Sequence, residues 1–253
     1  MADNPAASPP SPGEAKVPGA RRLRPRDAAT LVLVDRSGSE PRVLMGRRRS
    51  TQVFLPNKFV FPGGRVDRAD RFVMPADNLA ADDAGLLLHD MKGTVSATRA
   101  RALALAAVRE TFEETGLVIG LVIGRTAGAP AAGTPPAAWR PFLDTGHAPS
   151  LAGLPSSARA IPPPSRPRRY DTRFFLADAR LVAATAKPAD DELGEVGWFT
   201  LSEMRALDLP NITRAIVEDL AMHLERPAHE RCVPYYCFRH GSFRRDLIVP
   251  SRA

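Results

Sequence analysis

The sequence predicts one α/β or α+β domain behind an unstructured tail, and three observations carry that prediction. Apolar segments follow the order strands, helix, strands, helix between residues 28 and 224. The 25 prolines, about twice the usual ~5% share, gather at residues 1–25 and 130–167 and leave the intervening stretches free to form regular structure. The chain has 253 residues, 44% hydrophobic and 25% charged. That composition is ordinary for a globular protein and the length suffices for a self-sufficient core, which excludes disorder throughout.

Residues 1–26 are rich in Ala, Pro and Ser without apolar periodicity, so they read as a disordered tail, and 27–253 as a single domain. Residues 28–34 form a buried strand, 43–45 its partner after a turn at Ser37-Gly38-Ser39, and 59–61 a short strand stopped by Pro62-Gly63-Gly64. Strong helix formers fill 98–115, with Gly116 where a C-terminal stop belongs. Strand character resumes at 117–123. After a proline-rich loop at 130–167, residues 172–176 and 196–199 read as strands, and Ile212, Ile216, Leu220 and Leu224 mark an amphipathic helix.

The formal charge is +7, but nearly half of it falls in the tail, which weakens the case for a polyanionic partner. No run reaches the ~18 apolar residues of a spanning helix, and the first 25 residues lack a signal-type apolar core. Two cysteines, Cys232 and Cys237, make no disulfide framework. The expected setting is the cytoplasm, without membrane or nucleic acid as partner; a homodimer is one option.

The chemistry concentrates in Arg109-Glu110-Thr111-Phe112-Glu113-Glu114-Thr115-Gly116-Leu117. On a helix, Glu110, Glu113 and Glu114 project from adjoining parts of one face and repel one another. They also occupy the last turn, where the helix dipole favours cations. Arg109 alone cannot neutralise three carboxylates, so a hard divalent ion such as Mg²⁺ or Mn²⁺ is implied. Upstream, the glycine turn at Gly63-Gly64, followed by Asp67 and Asp70, lets backbone approach a ligand closely.

These residues resemble the Nudix hydrolases, whose box reads G-x5-E-x7-R-E-U-x-E-E-x-G-U. Gly64 matches the leading glycine, Asp70 stands where the family has Glu, and Arg109-Glu110, Glu113-Glu114 and Gly116-Leu117 supply the rest. Thr111 replaces an aliphatic residue, and the arginine expected at position 78 stands at 109, an insertion of 31 residues within about 71–101. The interrupted box, the Phe-Pro-Gly-Gly turn and the run from Pro167 to Ala177 are similar to the coenzyme A and acyl-coenzyme A diphosphatase branch.

The resemblance implies a Nudix-type α/β/α sandwich with a mixed β-sheet. It implies a metal site of Gly64, Glu110, Glu113, Glu114 and Asp70, with Gly63, Arg109 and Gly116 structural. Glu110 is also a catalytic candidate, as are Glu192 and Glu195 in the acidic run before Trp198. Arg168, Arg169 and Arg48 are candidate anchors for the phosphates of a small nucleoside diphosphate substrate, with Arg47 and Arg49 beside Arg48. Leu86, Leu87 and Leu88 are a candidate acyl pocket. The implied reaction is metal-dependent hydrolysis of coenzyme A or acyl-coenzyme A to 3′,5′-ADP and 4′-phosphopantetheine or its acyl form. ADP-ribose, other nucleoside diphosphate derivatives and capped RNA are alternative substrates; a non-catalytic nucleotide sensor and an RNA-binding arginine tail are alternatives of another class. His229, Cys232, Cys237 and His240 have zinc-ligand chemistry at irregular spacing, and a buried strand is the simpler reading for Cys237. Trp198 reads as packing, whereas Trp139 is open between packing and stacking on adenine.

Overall fold

The computed structural model describes residues 24–123, 135–166, 168–225, 232–239 and 242–249. In chain order they form β1 (Arg26–Asp35), β2 (Arg42–Arg48), β3 (Phe59–Val60), β4 (Gly63–Arg65), α1 (Ala81–Leu88), α2 (Ala97–Thr115) and β5 (Leu117–Val122). There follow α3 (Arg140–Leu143), β6 (His147–Pro149), β7 (Ser156–Ala160), β8 (Tyr170–Asp178), β9 (Val182–Thr185), β10 (Leu193–Thr200), α4 (Leu201–Ala206), α5 (Asn211–Glu225), β11 (Val233–Arg239) and β12 (Ser242–Ile248). The expected tail lies almost wholly outside the described residues.

The main sheet runs β10-β2-β1-β8-β7-β11-β12, with β3 on β2 and β4 on β1. It is mixed: β1 is parallel to β8 and antiparallel to β2 and β4. A smaller sheet of β6, β5 and β9 flanks it. β1 explains why helices cover both faces, because its apolar run is buried on both sides. Ala29, Leu31 and Leu33 enter a core with Leu103, Ala107 and Phe112 of α2, whereas Val32 and Val34 join Ile216, Val217 and Leu220 of α5. This alternation makes a helix-sheet-helix sandwich, as the sequence implies.

The reading of residues 130–167 as a loop and that of Leu86 and Leu87 as an acyl pocket need correcting. Residues 130–167 are not simply a loop, since α3, β6 and β7 fall inside them. Pro141 sits in the first turn of α3, where its missing N–H costs nothing, and Pro149 and Pro155 bound short strands, so prolines that read as loop mark element ends. The segment at 71–101 is built into the fold. Asp77 accepts hydrogen bonds from Ser150 Oγ, Leu151 N and Ala152 N at 2.5–2.7 Å, and Asp83 accepts from Ser156 N. Leu87 is fully buried in the α2 core and Leu86 packs with Val233 and Tyr235. Both are spent on packing, which removes them from an acyl pocket.

Candidate active site

Helix α2 begins at Ser96, whose Oγ accepts from Arg99 N at 3.2 Å. It stops at Gly116 in the left-handed conformation, φ 74°. A Cβ at Gly116 would lie 2.0 Å from the Ala186 carbonyl oxygen, so glycine here lets the β9–β10 connection close on the helix end. Ala186 N bonds Gly116 O, and Ala189 N and Asp190 N both bond Glu113 O. The acidic run at 190–192 is thereby held beside the last turn of α2. Thr111, the departure from the box pattern, is fully buried and donates its hydroxyl to Ala107 O at 2.8 Å, so its polarity is satisfied inside its own helix.

The glycine turn faces this helix end. Gly63 N donates to Glu114 Oε2 at 2.9 Å, and a Cβ on Gly64 would fall 2.4 Å from Glu110 Oε2. Arg109 lies between the carboxylates: Nε and Nη2 reach Asp70 at 2.8 and 3.2 Å, Nη1 reaches Glu113 at 2.7 Å and Glu110 at 3.0 Å, and Nη2 donates to Arg65 O. Burial opposes its charge, but Asp70, Glu110 and Glu113 hold its pKa above the ordinary value.

One guanidinium does not offset four carboxylates. Burial first, and repulsion from Glu113 and Asp70, push Glu110 up to about 7 against the pull of Arg109. Burial also raises Glu113. Glu114 is 3% exposed; burial, then Glu110, Glu192 and Asp190, lift it well above the carboxylate range despite the Gly63 N–H. Among the described residues no three acidic, His or Cys side chains stand ready to enclose an ion, because Arg109 spans Glu110 and Glu113. The donor chemistry nonetheless fits a hard divalent cation: oxygen donors only, excess negative charge, and backbone brought close by the two glycines.

Asp70 does not belong to that donor set. It is 0% exposed, and both oxygens are occupied. Oδ1 accepts from Arg109 Nε and Trp139 Nε1, and Oδ2 accepts from Asp67 N and Arg109 Nη2. It positions Arg109, and Trp139 is spoken for by the same bond and by edge-to-face contact with Phe142, so it does not stack on adenine. A direct Trp139–Asp70 link across 69 residues has no local sequence signal.

Other candidates are placed differently. Glu192 joins the site through its field on Glu114 and is held by Arg48 Nη2 at 3.1 Å. Glu195 is exposed on β10 and pairs with Arg47 at 3.9 Å. Arg49 pairs with Asp191, so the three consecutive arginines fasten β2 to the acidic run and are not a free phosphate anchor. Arg48 also donates to Phe54 O and Gln52 Oε1. Arg168 lies over the Phe54 ring, and Arg169 Nε donates to Pro162 O. Arg173 is buried against Asp171. His229 and His240 lie outside the described residues, while Cys237 is a buried strand residue of β11. Trp198 packs on the α2 core.

A cavity of about 700 Å³ beside the N-terminal end of α2 has none of Asp70, Glu110, Glu113 and Glu114 in its lining. No helix of the described residues is long and apolar enough to cross a membrane.

The chain is 28% identical over 188 residues to "Putative nudix hydrolase 7" of Caenorhabditis elegans, covering 70% of this chain. It spans about half of that relative, 52% of its length. The crystal structure of a Nudix hydrolase from Alicyclobacillus acidocaldarius superposes with a TM-score of 0.56 at 28% identity, covering 78% of this chain and 91% of that one. Sequence and fold both support the Nudix hydrolase superfamily. No protein-family model matches the chain. In this fold Gly63-Gly64 and the carboxylates of Glu110 and Glu114, separated in sequence by α1 and its flanking segments, lie against each other.

That meeting yields a first prediction. In Gly64→Ala the new Cβ meets the flexible end of Glu110, not backbone, so Glu110 swings away and the fold is spared. The melting temperature is expected to move by no more than a few degrees. Hydrolytic activity is expected to fall about tenfold or more, as for loss of one positioned charged group. Calorimetry together with a phosphate-release assay checks both.

Proposed function

We propose that the chain is a divalent-metal-dependent pyrophosphohydrolase acting on a nucleoside diphosphate linked to another group, with coenzyme A or acyl-coenzyme A as its substrate. The observation that carries the reading is the set of a buried Glu114 and half-buried Glu110 and Glu113 at the C-terminal end of α2, with more negative charge than Arg109 offsets and closed by Gly63 and Gly64. Glu110, Glu113, Glu114 and the Gly64 carbonyl would hold Mg²⁺ or Mn²⁺. A bound ion supplies charge neutralisation of the diphosphate and acidifies water at the reacting phosphorus.

The chain's own residues then divide the work. Arg109, fixed by Asp70, keeps Glu110 and Glu113 on one side of the helix. Glu192 is the proton acceptor for the attacking water, and Arg48 fixes its carboxylate. Arg168 and Arg169, which precede β8, are the side chains assigned to engage substrate phosphate. The split box and the Phe-Pro-Gly-Gly turn favour coenzyme A over ADP-ribose.

The test is hydrolysis of a panel of coenzyme A, acyl-coenzyme A, ADP-ribose, dinucleoside polyphosphates and nucleoside triphosphates with Mg²⁺ or Mn²⁺. Release of 3′,5′-ADP from the coenzyme A compounds, lost in Glu113→Gln, is the expected result. Cleavage of another panel member alone sinks the substrate and keeps the site. No turnover, despite bound nucleotide, overturns the enzyme reading. A second prediction concerns Arg48→Ala, which frees Glu192 and the 52–54 segment. It is expected to lower kcat by about tenfold with KM little changed, the behaviour of a residue that positions a proton acceptor; steady-state kinetics on the preferred substrate decides it.

A further inference from the structure

The 700 Å³ cavity beside the start of α2 lies outside the carboxylate site. Arg99 and Arg109 are ten residues apart on that helix, about 15 Å at the rise of an α-helix. Five arginines line it: Arg26 from β1, Arg65 from β4, Arg68 and Arg71 from the 3-10 turn Arg68–Arg71, and Arg99 from α2. Only two acidic residues share the lining, and both are committed. Asp27 takes Arg99 in a two-pronged pair at 2.6 and 2.8 Å, and Asp67 caps the 3-10 turn by accepting from Ala69 N.

Among the described residues no ion pair engages Arg26, Arg65, Arg68 or Arg71, and all four are exposed. Four arginines from three elements thus line one concavity outside any ion pair, and the lining as a whole carries five positive charges against two negative ones. An ordinary solvated surface intersperses its charges, as at arginines 47, 48, 49 and 239, which have carboxylate partners. The fork of an arginine matches the oxygens of phosphate in a bidentate fashion. The volume falls within the range of small-molecule pockets, which favours a compact phosphorylated ligand over an extended strand. The turn bearing Arg68 and Arg71 is also the one whose Asp70 holds Arg109, so the cleft and the carboxylate site share a wall.

We propose that this cleft is a second anion site, taking a phosphate-bearing small molecule on Arg26, Arg65, Arg68 and Arg71. It stands independently of the hydrolytic reading, because it is tested without metal. The full chain in chelator is titrated calorimetrically with inorganic pyrophosphate and with 3′,5′-ADP, at low and at raised ionic strength. Binding is expected, weakening with salt. The double substitution Arg68→Glu, Arg71→Glu is expected to reduce it by about tenfold or more, since two charge-assisted contacts are lost. Arg26→Glu, on a separate strand, is expected to act in the same direction and guards against a local effect on Asp70; an unchanged melting temperature confirms folding of each variant.

Kinetics then separate the two sources of such a phosphate. If KM rises in the variants for coenzyme A, with its 3′-phosphate, but not for ADP-ribose, the cleft holds a remote phosphate of the substrate. If neither KM moves while pyrophosphate binding is lost, it holds a separate ligand. Absence of binding to the wild type, binding undiminished in both variants, or a tighter response to a single-stranded oligonucleotide than to either small probe overturns the proposal.

Discussion

Asp70→Ala is expected to cost about 3–5 kcal/mol of stability, because several buried donors lose their acceptor at about 1–3 kcal/mol each, more where the donor is charged. The carboxylate satisfies Arg109 twice, the indole N–H of Trp139 once and the backbone of Asp67 once. Its removal leaves Nε of a guanidinium that is 5% exposed, and the N–H of a fully buried indole, without an acceptor, while Glu110 and Glu113 still pair with Nη1. A domain of this size loses about 2–4 °C of melting temperature per kcal/mol, so thermal unfolding should shift by roughly 6–20 °C. Asp70→Asn keeps the shape but offers one oxygen where Arg109 and Trp139 share Oδ1, and should fall between the two. If Asp70 served chiefly as a metal ligand, both variants would melt near the wild type without added metal and lose only metal affinity.

The same residue shows where the sequence stops being informative. Spacing from Gly64 put Asp70 in the metal set, because a motif records residue type and separation and not which neighbours arrive from elsewhere. Its partners come from α2 and from Trp139, the latter inside a segment whose prolines read as loop. By contrast β1, α2 and α5 were legible locally, β1 as a continuous apolar run, α2 from its helix formers and the Gly116 stop, and α5 from apolar residues every four positions. β6, β7 and β9 are three to five residues long, too short for a period to emerge, and they exist through pairing with β5, β8 and β11. The three arginines at 47–49 were legible as charge; that each meets a carboxylate of the 191–195 run is a consequence of β2 pairing with β10, which local sequence does not announce.

Glu114→Gln is expected to leave the fold intact and lower hydrolysis about 10²–10³-fold, comparable to removing a preorganised electrostatic group from a water-excluded site. The amide is nearly isosteric, its oxygen can still accept from Gly63 N, and the substitution removes a carboxylate that burial already disfavours. Without metal, the variant should therefore be at least as stable as the wild type, because a desolvated and mutually repelling charge is relieved at pH values where Glu114 is ionised. With Mn²⁺ the order should invert, since a ligand that binds only the folded state raises stability in proportion to its affinity, and the amide binds a hard cation more weakly. Melting curves with and without Mn²⁺, run beside the activity assay, give two readouts with opposite signs for one substitution. A variant that melts lower than the wild type in chelator would make Glu114 a structural acceptor for Gly63, and loss of activity would then follow from misplacement of the glycine turn. Stabilisation in chelator, loss of the Mn²⁺ response and loss of turnover together identify Glu114 as part of the cation site, with its burial as the reason this end of α2 demands a positive ion.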